Sequence, residues 1–272
     1  MRSPQNAAVL ITGAGRGIGK RLAIGFAQAG IRVGLLGRNQ SELDVTKLEI
    51  EDAKGTALRL RADVTHFEQV CAAVERMSTT WGGVHTLIAS AGTLGPIGPF
   101  AQHKPSAWRE VFETNVLGVM NSCRAVLPQM IQRRGGKIIV ISGTGAATPR
   151  PNFAPYAASK AAIARFVESL AEEVRDHNVQ INSIFPGEAY TNTTDEILHA
   201  GNDAGQSEIE SAERVRLTGG IAPDKQIQLA LFLASERSNH VTGKLIYVQD
   251  DWKRLEAENG RPDAFTLRRH LK

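Results

Sequence analysis

Tyr156 and Lys160 stand four residues apart in the stretch Tyr156-Ala157-Ala158-Ser159-Lys160. At that spacing two side chains share one face of an α-helix. A phenol that titrates near pH 10 is a poor proton carrier at neutral pH, and a neighbouring ammonium favours its ionised form. Facing a pocket, such a pair suits general acid–base work. The same spacing is common on plain helix surfaces, so its meaning depends on what surrounds it.

A second cluster is Gly13-Ala14-Gly15-Arg16-Gly17-Ile18-Gly19. It follows the apolar run Ala7 to Thr12 and precedes a helical pattern with Leu22, Ile24, Phe26 and Ala27. Strand, glycine turn and helix together form the context of a dinucleotide site. The turn lets backbone approach a pyrophosphate, and the helix start offers free N–H groups and a positive dipole end. A second strand, Ile31 to Gly37, leads into Arg38. An acid at that point would accept a bond from a ribose 2′-hydroxyl, whereas a guanidinium suits a 2′-phosphate. Arg16 can close on the same phosphate, so the expected cofactor is NADP(H), with NAD(H) the alternative should Arg38 be merely exposed.

The elements that must position these groups follow in order. Gln40 to Ala53 is helical by period, and Ala57 to Ala62 reads as a third strand ending in Asp63-Val64. Val64 is placed to pack on an adenine, and Asp63 either accepts its amino group or caps the next helix. Phe67 to Thr80 is helical, and Val84 to Ala89 forms a fourth strand running into Ser90-Ala91-Gly92. Those small residues let backbone approach the cofactor ribose. Pro105 to Arg133 reads as one long helix holding Asn115, a poor helix former. Gly136 to Ser142 is a near-continuous apolar strand suited to the centre of a parallel sheet. The Tyr156 helix continues with a core stripe to Val174, Val179 to Phe185 is a sixth strand, and Lys244 to Val248 is the last. Between them, Thr193 to Gly220 is polar and reads as a lid, and Pro223 to Ala234 as an ordinary helix. His85 and His103 read as strand-end and loop residues.

Composition bounds the rest. The chain has 272 residues, 42% of them hydrophobic, enough for one large α/β domain. A net charge of +4 is too mild to argue for nucleic acid. Cys71 and Cys123 make neither a metal pattern nor a disulfide framework. No stretch has the length of a membrane span or a signal-peptide core. The expectation is a soluble cytoplasmic protein with no metal site.

Taken in order, Thr12-Gly13 to Gly19, Asp63-Val64, Ser90-Ala91-Gly92, Asn115, Tyr156 to Lys160, and Pro186-Gly187 with Thr191 resemble the short-chain dehydrogenase/reductase family across about residues 7–250. The resemblance implies a single-domain Rossmann-type α/β fold, doubly wound, with a seven-stranded parallel sheet flanked by helices. It implies hydride transfer between a nicotinamide and a carbonyl or alcohol, with Tyr156 as acid or base and Lys160 tuning it and binding the ribose. Asn115 would kink its helix and support a proton relay, and Pro186, Gly187, Ala189 and Thr191 would hold the nicotinamide end. It further implies a homodimer or homotetramer and a lid over about residues 188–222. A non-catalytic dinucleotide sensor is the reading from another class.

Three departures stand out. Ser90 replaces the usual asparagine. The family's serine, which bonds the substrate oxygen, falls at Gly143, leaving Ser142 as the expected donor and Thr144 as the alternative. After the last strand the chain reads Gln249-Asp250-Asp251-Trp252 and continues as a charged extension over 251–272, with Arg268-Arg269-His270 near its end. Trp252 is expected to cover a hydrophobic edge or an interface.

Overall fold

The computed structural model of the chain describes residues 7–257 and 265–267. The first apolar run forms β1 (Ala8–Thr12), buried at every position, as a strand covered on both faces must be. β2 (Arg32–Gly37) and β4 (Thr86–Ala89) flank it in parallel, Val9 lying opposite both Val33 and Thr86. β3 (Ala57–Arg61), β5 (Gly136–Ile141), β6 (Val179–Phe185) and β7 (Leu245–Tyr247) complete a seven-stranded sheet ordered β3-β2-β1-β4-β5-β6-β7. All its pairings are parallel, in agreement with the expected doubly wound fold. The winding reverses between β1 and β4, where an open parallel sheet leaves a crevice beyond its strand ends.

Helices cover both faces. On one lie α1 (Gly17–Gln28), α2 (Gln40–Asp52) and α9 (Pro223–Ala234), burying Phe26, Leu43, Leu229 and Phe232 against Ile11, Leu35 and Ile139. On the other lie α3 (Phe67–Trp81), α5 (Gly118–Gln132) and α6 (Ala154–Glu173), burying Met77, Val126, Ile163 and Val167 against Leu10, Leu87 and Ile138. Trp252 sits 5.4 Å from Phe232, covering an edge of the first layer, just ahead of the short α10 (Arg254–Ala257). Arg268-Arg269-His270 lie outside the described residues.

One expectation needs correction. The long helix over Pro105 to Arg133 is divided into α4 (Pro105–Phe112), a π-helical turn (Glu113–Leu117) and α5. The π turn inserts an extra residue exactly where Asn115 must turn inward, a local widening that an apolar period does not reveal. The polar segment read as a lid holds two helices, α7 (Asn192–Ala200) and α8 (Gln206–Thr218). Of their apolar residues, Ile197 and Ala212 are buried with Leu94 and Phe153 in a small separate cluster beside Tyr156, and Leu198 and Ile209 pack against it. His85 is structural, its Nδ1 accepting the Ala8 N–H at 3.2 Å. No helix among the described residues is long and apolar enough to cross a membrane.

Candidate active site

A cleft of about 830 Å³ opens beyond the strand ends, and every residue expected to hold the cofactor lines it, from Gly13 to Thr191. Its floor is the glycine turn. Gly13 has φ +67°, and a Cβ there would lie 2.9 Å from the Ala91 Cα. A Cβ on Gly19 would lie 2.2 Å from the Gly13 carbonyl oxygen, so a side chain at either position would force the turn apart. Thr12 ties this turn to the next strand by accepting the N–H groups of Ser90 and Ala91 at 3.0 and 3.1 Å. The Arg16 side chain makes no capping bond to α1, leaving the helix's first N–H groups to a bound anion. These features fit a dinucleotide pyrophosphate.

The adenosine end carries more charge than expected. Arg38 lies 3.8 Å from Asp63, and Arg16 lies 3.8 Å from Glu42. Asp63 neither caps α3 nor stands free. The N-cap of α3 is His66, while Asp63 Oδ1 accepts the N–H and hydroxyl of Thr65, each at 2.9 Å. Partial burial works to raise the Asp63 carboxyl, but the Thr65 bonds and the Arg38 guanidinium outweigh it and hold it below the ordinary range. Glu42, not anticipated from sequence, also lines the cleft beside Gly15.

The opposite wall carries the groups suited to proton transfer. Lys160 is buried, its Nζ donating to the Ile141 carbonyl at 3.0 Å and lying 5.4 Å from the Tyr156 ring centre. Asn115 is fully buried just behind this wall. Its Oδ1 accepts the Thr93 N–H at 2.8 Å, and its Nδ2 donates to the Thr93 carbonyl at 2.9 Å and to Ser159 Oγ at 3.0 Å. Thr93 and Ser159 were not singled out in the sequence, since both become partners only across distant elements.

Burial pushes the Tyr156 phenol up from its usual value, and pulls Lys160 down to about 8. Near the missing serine the geometry is equally specific. A Cβ on Gly143 would lie 2.2 Å from the Tyr156 hydroxyl, so the phenol occupies the space in which a serine side chain would begin. Ser142 is buried with an unpartnered Oγ, while Thr144 is exposed on the cleft rim.

The turn after β6 forms another part of the cleft wall. The Pro186 carbonyl accepts from Gln226 Nε2 at 2.8 Å, and Gly187 has φ +75°. Thr191 caps α7 through a reciprocal capping box with Thr194, and its methyl lies 3.5 Å from where a Gly17 Cβ would be. This seats the start of α7 on the glycine turn.

A family model described as short chain dehydrogenase matches residues 7–201. The chain belongs to the short-chain dehydrogenase family. It is 31% identical over 237 residues to the 3-oxoacyl-[acyl-carrier-protein] reductase FabG of Thermotoga maritima, covering 87% of this chain and 94% of that protein. Among solved structures, an actinorhodin polyketide ketoreductase with NADPH superposes with a TM-score of 0.82 at 27% identity, covering 91% of this chain and 97% of that one. An NAD⁺-bound xylitol dehydrogenase gives a TM-score of 0.81 at 25% identity, with coverages of 90% and 98%. Solved structures holding NADPH and NAD⁺ thus share this fold.

Proposed function

We propose that this short-chain dehydrogenase is an NADP(H)-dependent oxidoreductase acting on a carbonyl or alcohol. The observation that carries the reading is the meeting of Tyr156, Lys160 and Asn115 at one wall of a cleft whose floor is the glycine turn. A nicotinamide held there would supply or accept the hydride. Tyr156 gives a proton to the substrate oxygen in reduction and takes it in oxidation. Lys160 holds the ribose side of the cleft, and Asn115 keeps the backbone of Thr93 and the Ser159 hydroxyl in place behind the lysine. Ser142 steadies the substrate oxygen with its unpartnered hydroxyl. Pro186, Gly187, Ala189 and Thr191 hold the carboxamide end.

Arg38 and Arg16 favour NADPH, since two guanidinium groups beside one pocket suit a 2′-phosphate. The alternative of NAD(H) rests on Glu42 and Asp63, which face those arginines and suit ribose hydroxyls. Phe112 and Leu117, apolar yet exposed on α4 and the π turn, support a homodimer or homotetramer.

Calorimetric titration decides between the cofactors. NADPH is expected to bind at least tenfold tighter than NADH, and Arg38→Ala to remove that gap; equal affinities in the unmodified chain would favour NAD(H). In the same preparations, Tyr156→Phe is expected to keep cofactor binding while losing on the order of 10²-fold or more in turnover across a screen of aldehydes, ketones, sugars and acyl thioesters. Cofactor binding with no turnover in any arm would favour the sensor reading.

A further inference from the structure

Beyond Tyr156 the cleft continues into a chamber bounded by α8, whose polar groups the mechanism above does not use. Arg150, in the loop between β5 and α6, has its side chain only 8% exposed. Its guanidinium sits 4.0 Å over the Phe153 ring and 5.4 Å over the Tyr156 ring. Glu208, in the first turn of α8, takes two bonds from it, from Nε at 2.8 Å and from Nη2 at 2.7 Å. The third nitrogen, Nη1, has no hydrogen-bond partner among the described residues and is not cut off from the cavity that both residues line. Each Glu208 oxygen takes one of these bonds and has room for another.

We propose that this chamber takes a neutral polyhydroxylated carbonyl compound, a ketose or its alditol, with Arg150 and Glu208 together grasping one of its hydroxyls. The inference rests on the oxidoreductase reading given above. A hydroxyl both gives and accepts a hydrogen bond, and the pair offers both complements at one place, a guanidinium N–H and a carboxylate oxygen. The two charges balance. A substrate carboxylate could reach the free N–H, but it would bring a second negative charge beside Glu208 in a poorly hydrated space. A substrate ammonium would likewise face Arg150. An apolar chain would leave both groups without the partner they are placed to meet.

The rest of the chamber has the same balance. At its rim Arg214 donates to Glu188 at 3.0 Å and to Ser211 Oγ at 2.9 Å, and Ser211 donates to Glu188 at 2.8 Å. This is again a cation paired with a carboxylate beside a hydroxyl. Next to the phenol, Leu94 and Ile197 form an apolar wall on which the C–H face of such a substrate can rest. The 5.4 Å from the Arg150 guanidinium to the Tyr156 ring places the grasped hydroxyl within a few carbons of the reacting one. A site built to bond a substrate hydroxyl rejects the analogue lacking it far more strongly than an apolar pocket rejects a missing methylene.

The test uses the full chain with NADP⁺ and NAD⁺ in parallel, followed by the absorbance of the reduced nicotinamide. Pentitols and hexitols are compared with aldonates of the same length and with monohydroxy secondary alcohols. The alditols are expected to give a kcat/KM at least about tenfold above either other class. Glu208→Gln still accepts a bond from Arg150 but leaves the guanidinium uncompensated. It should therefore raise the aldonate-to-alditol ratio of kcat/KM by roughly tenfold, mainly through KM. A pair that merely ties α8 to the neighbouring loop would lower all classes together. A preference for aldonates or simple alcohols in the unmodified chain, or an unmoved ratio in Glu208→Gln, overturns the proposal and leaves the oxidoreductase reading standing. Should Glu208→Gln not fold, the comparison on the unmodified chain decides. If no compound is turned over, the oxidoreductase reading falls, and calorimetry on the NADP⁺-loaded chain decides the proposal. Alditol binding that gives way to aldonate binding in Glu208→Gln then supports it, and no such exchange overturns it.

Discussion

The absence of one atom decides how Tyr156 sits. Because Gly143 has no Cβ, the phenol hydroxyl lies against its backbone, in space that any other residue would claim. Gly143→Ala should therefore push the hydroxyl away from the reacting centre. A displacement of about 1 Å can cost on the order of 10² in rate, so kcat should fall by about that factor while NADPH affinity, set on the far wall, stays level. Unchanged kcat in steady-state assays would show that the phenol moves freely. The same close approach bears on the substrate-oxygen donor. A buried hydroxyl without a partner is uncommon in a folded core, and Ser142 has one beside the cleft. Thr144 is solvent-exposed and needs no such explanation.

At the scale of elements, the π turn joins parts of the chain that share no local signal. Asn115 satisfies both backbone groups of Thr93 and the hydroxyl of Ser159, so one side chain fastens the loop after β4 to α6. Asn115→Ala would leave both backbone groups of Thr93 unpaired in a partly buried place, at about 1–3 kcal/mol for each group left unsatisfied, while the Ser159 hydroxyl keeps its bond to the Tyr156 carbonyl. Urea unfolding is expected to show a loss of at least about 2 kcal/mol, alongside lost activity. Full stability with lost activity would confine Asn115 to a proton relay. This element also marks where sequence reading stops. The strands, the glycine turn and the Tyr156 helix were legible because each writes its own period or turn chemistry over a few consecutive residues. The π turn leaves only an asparagine inside an apolar pattern. Helices α7 and α8 are polar on most faces, and the contact of Arg150 with Glu208 spans 58 positions. For Asp63 the sequence leaves an adenine acceptor and a helix cap both open, and only the coordinates show Thr65 donating to it in place of the helix N–H groups.

At the scale of the whole molecule, Lys137 is a further buried cation among the described residues, away from the cleft. Lys137 on β5 is 8% exposed, and its Nζ donates to Asn239 Oδ1 at 2.7 Å and Ser238 Oγ at 3.2 Å. It thus fastens the central sheet to the turn that follows α9. Burial lowers its ammonium from 10.5 to about 8, with Glu236 opposing that shift. A lysine lowered in the folded state destabilises the fold while it remains charged. Below about pH 8 both folded and unfolded chains hold the proton, and the full penalty applies. Between about 8 and 10.5 the folded chain has released a proton that the unfolded chain still binds, so this residue's contribution to stability rises with pH. Above that window it is level again. Tyr156, raised by burial, and Cys123, pushed up to about 12, act in the opposite sense at alkaline pH, so the raw stability curve mixes several groups. Comparison with Lys137→Met removes the shared part. The melting temperature of the unmodified chain, relative to that variant, should climb between pH 7.5 and 9.5, by an amount on the order of 1–3 kcal/mol in stability. A difference that stays flat, or shrinks, would mean that Lys137 keeps its proton in the folded sheet and that its two hydrogen bonds outweigh its burial.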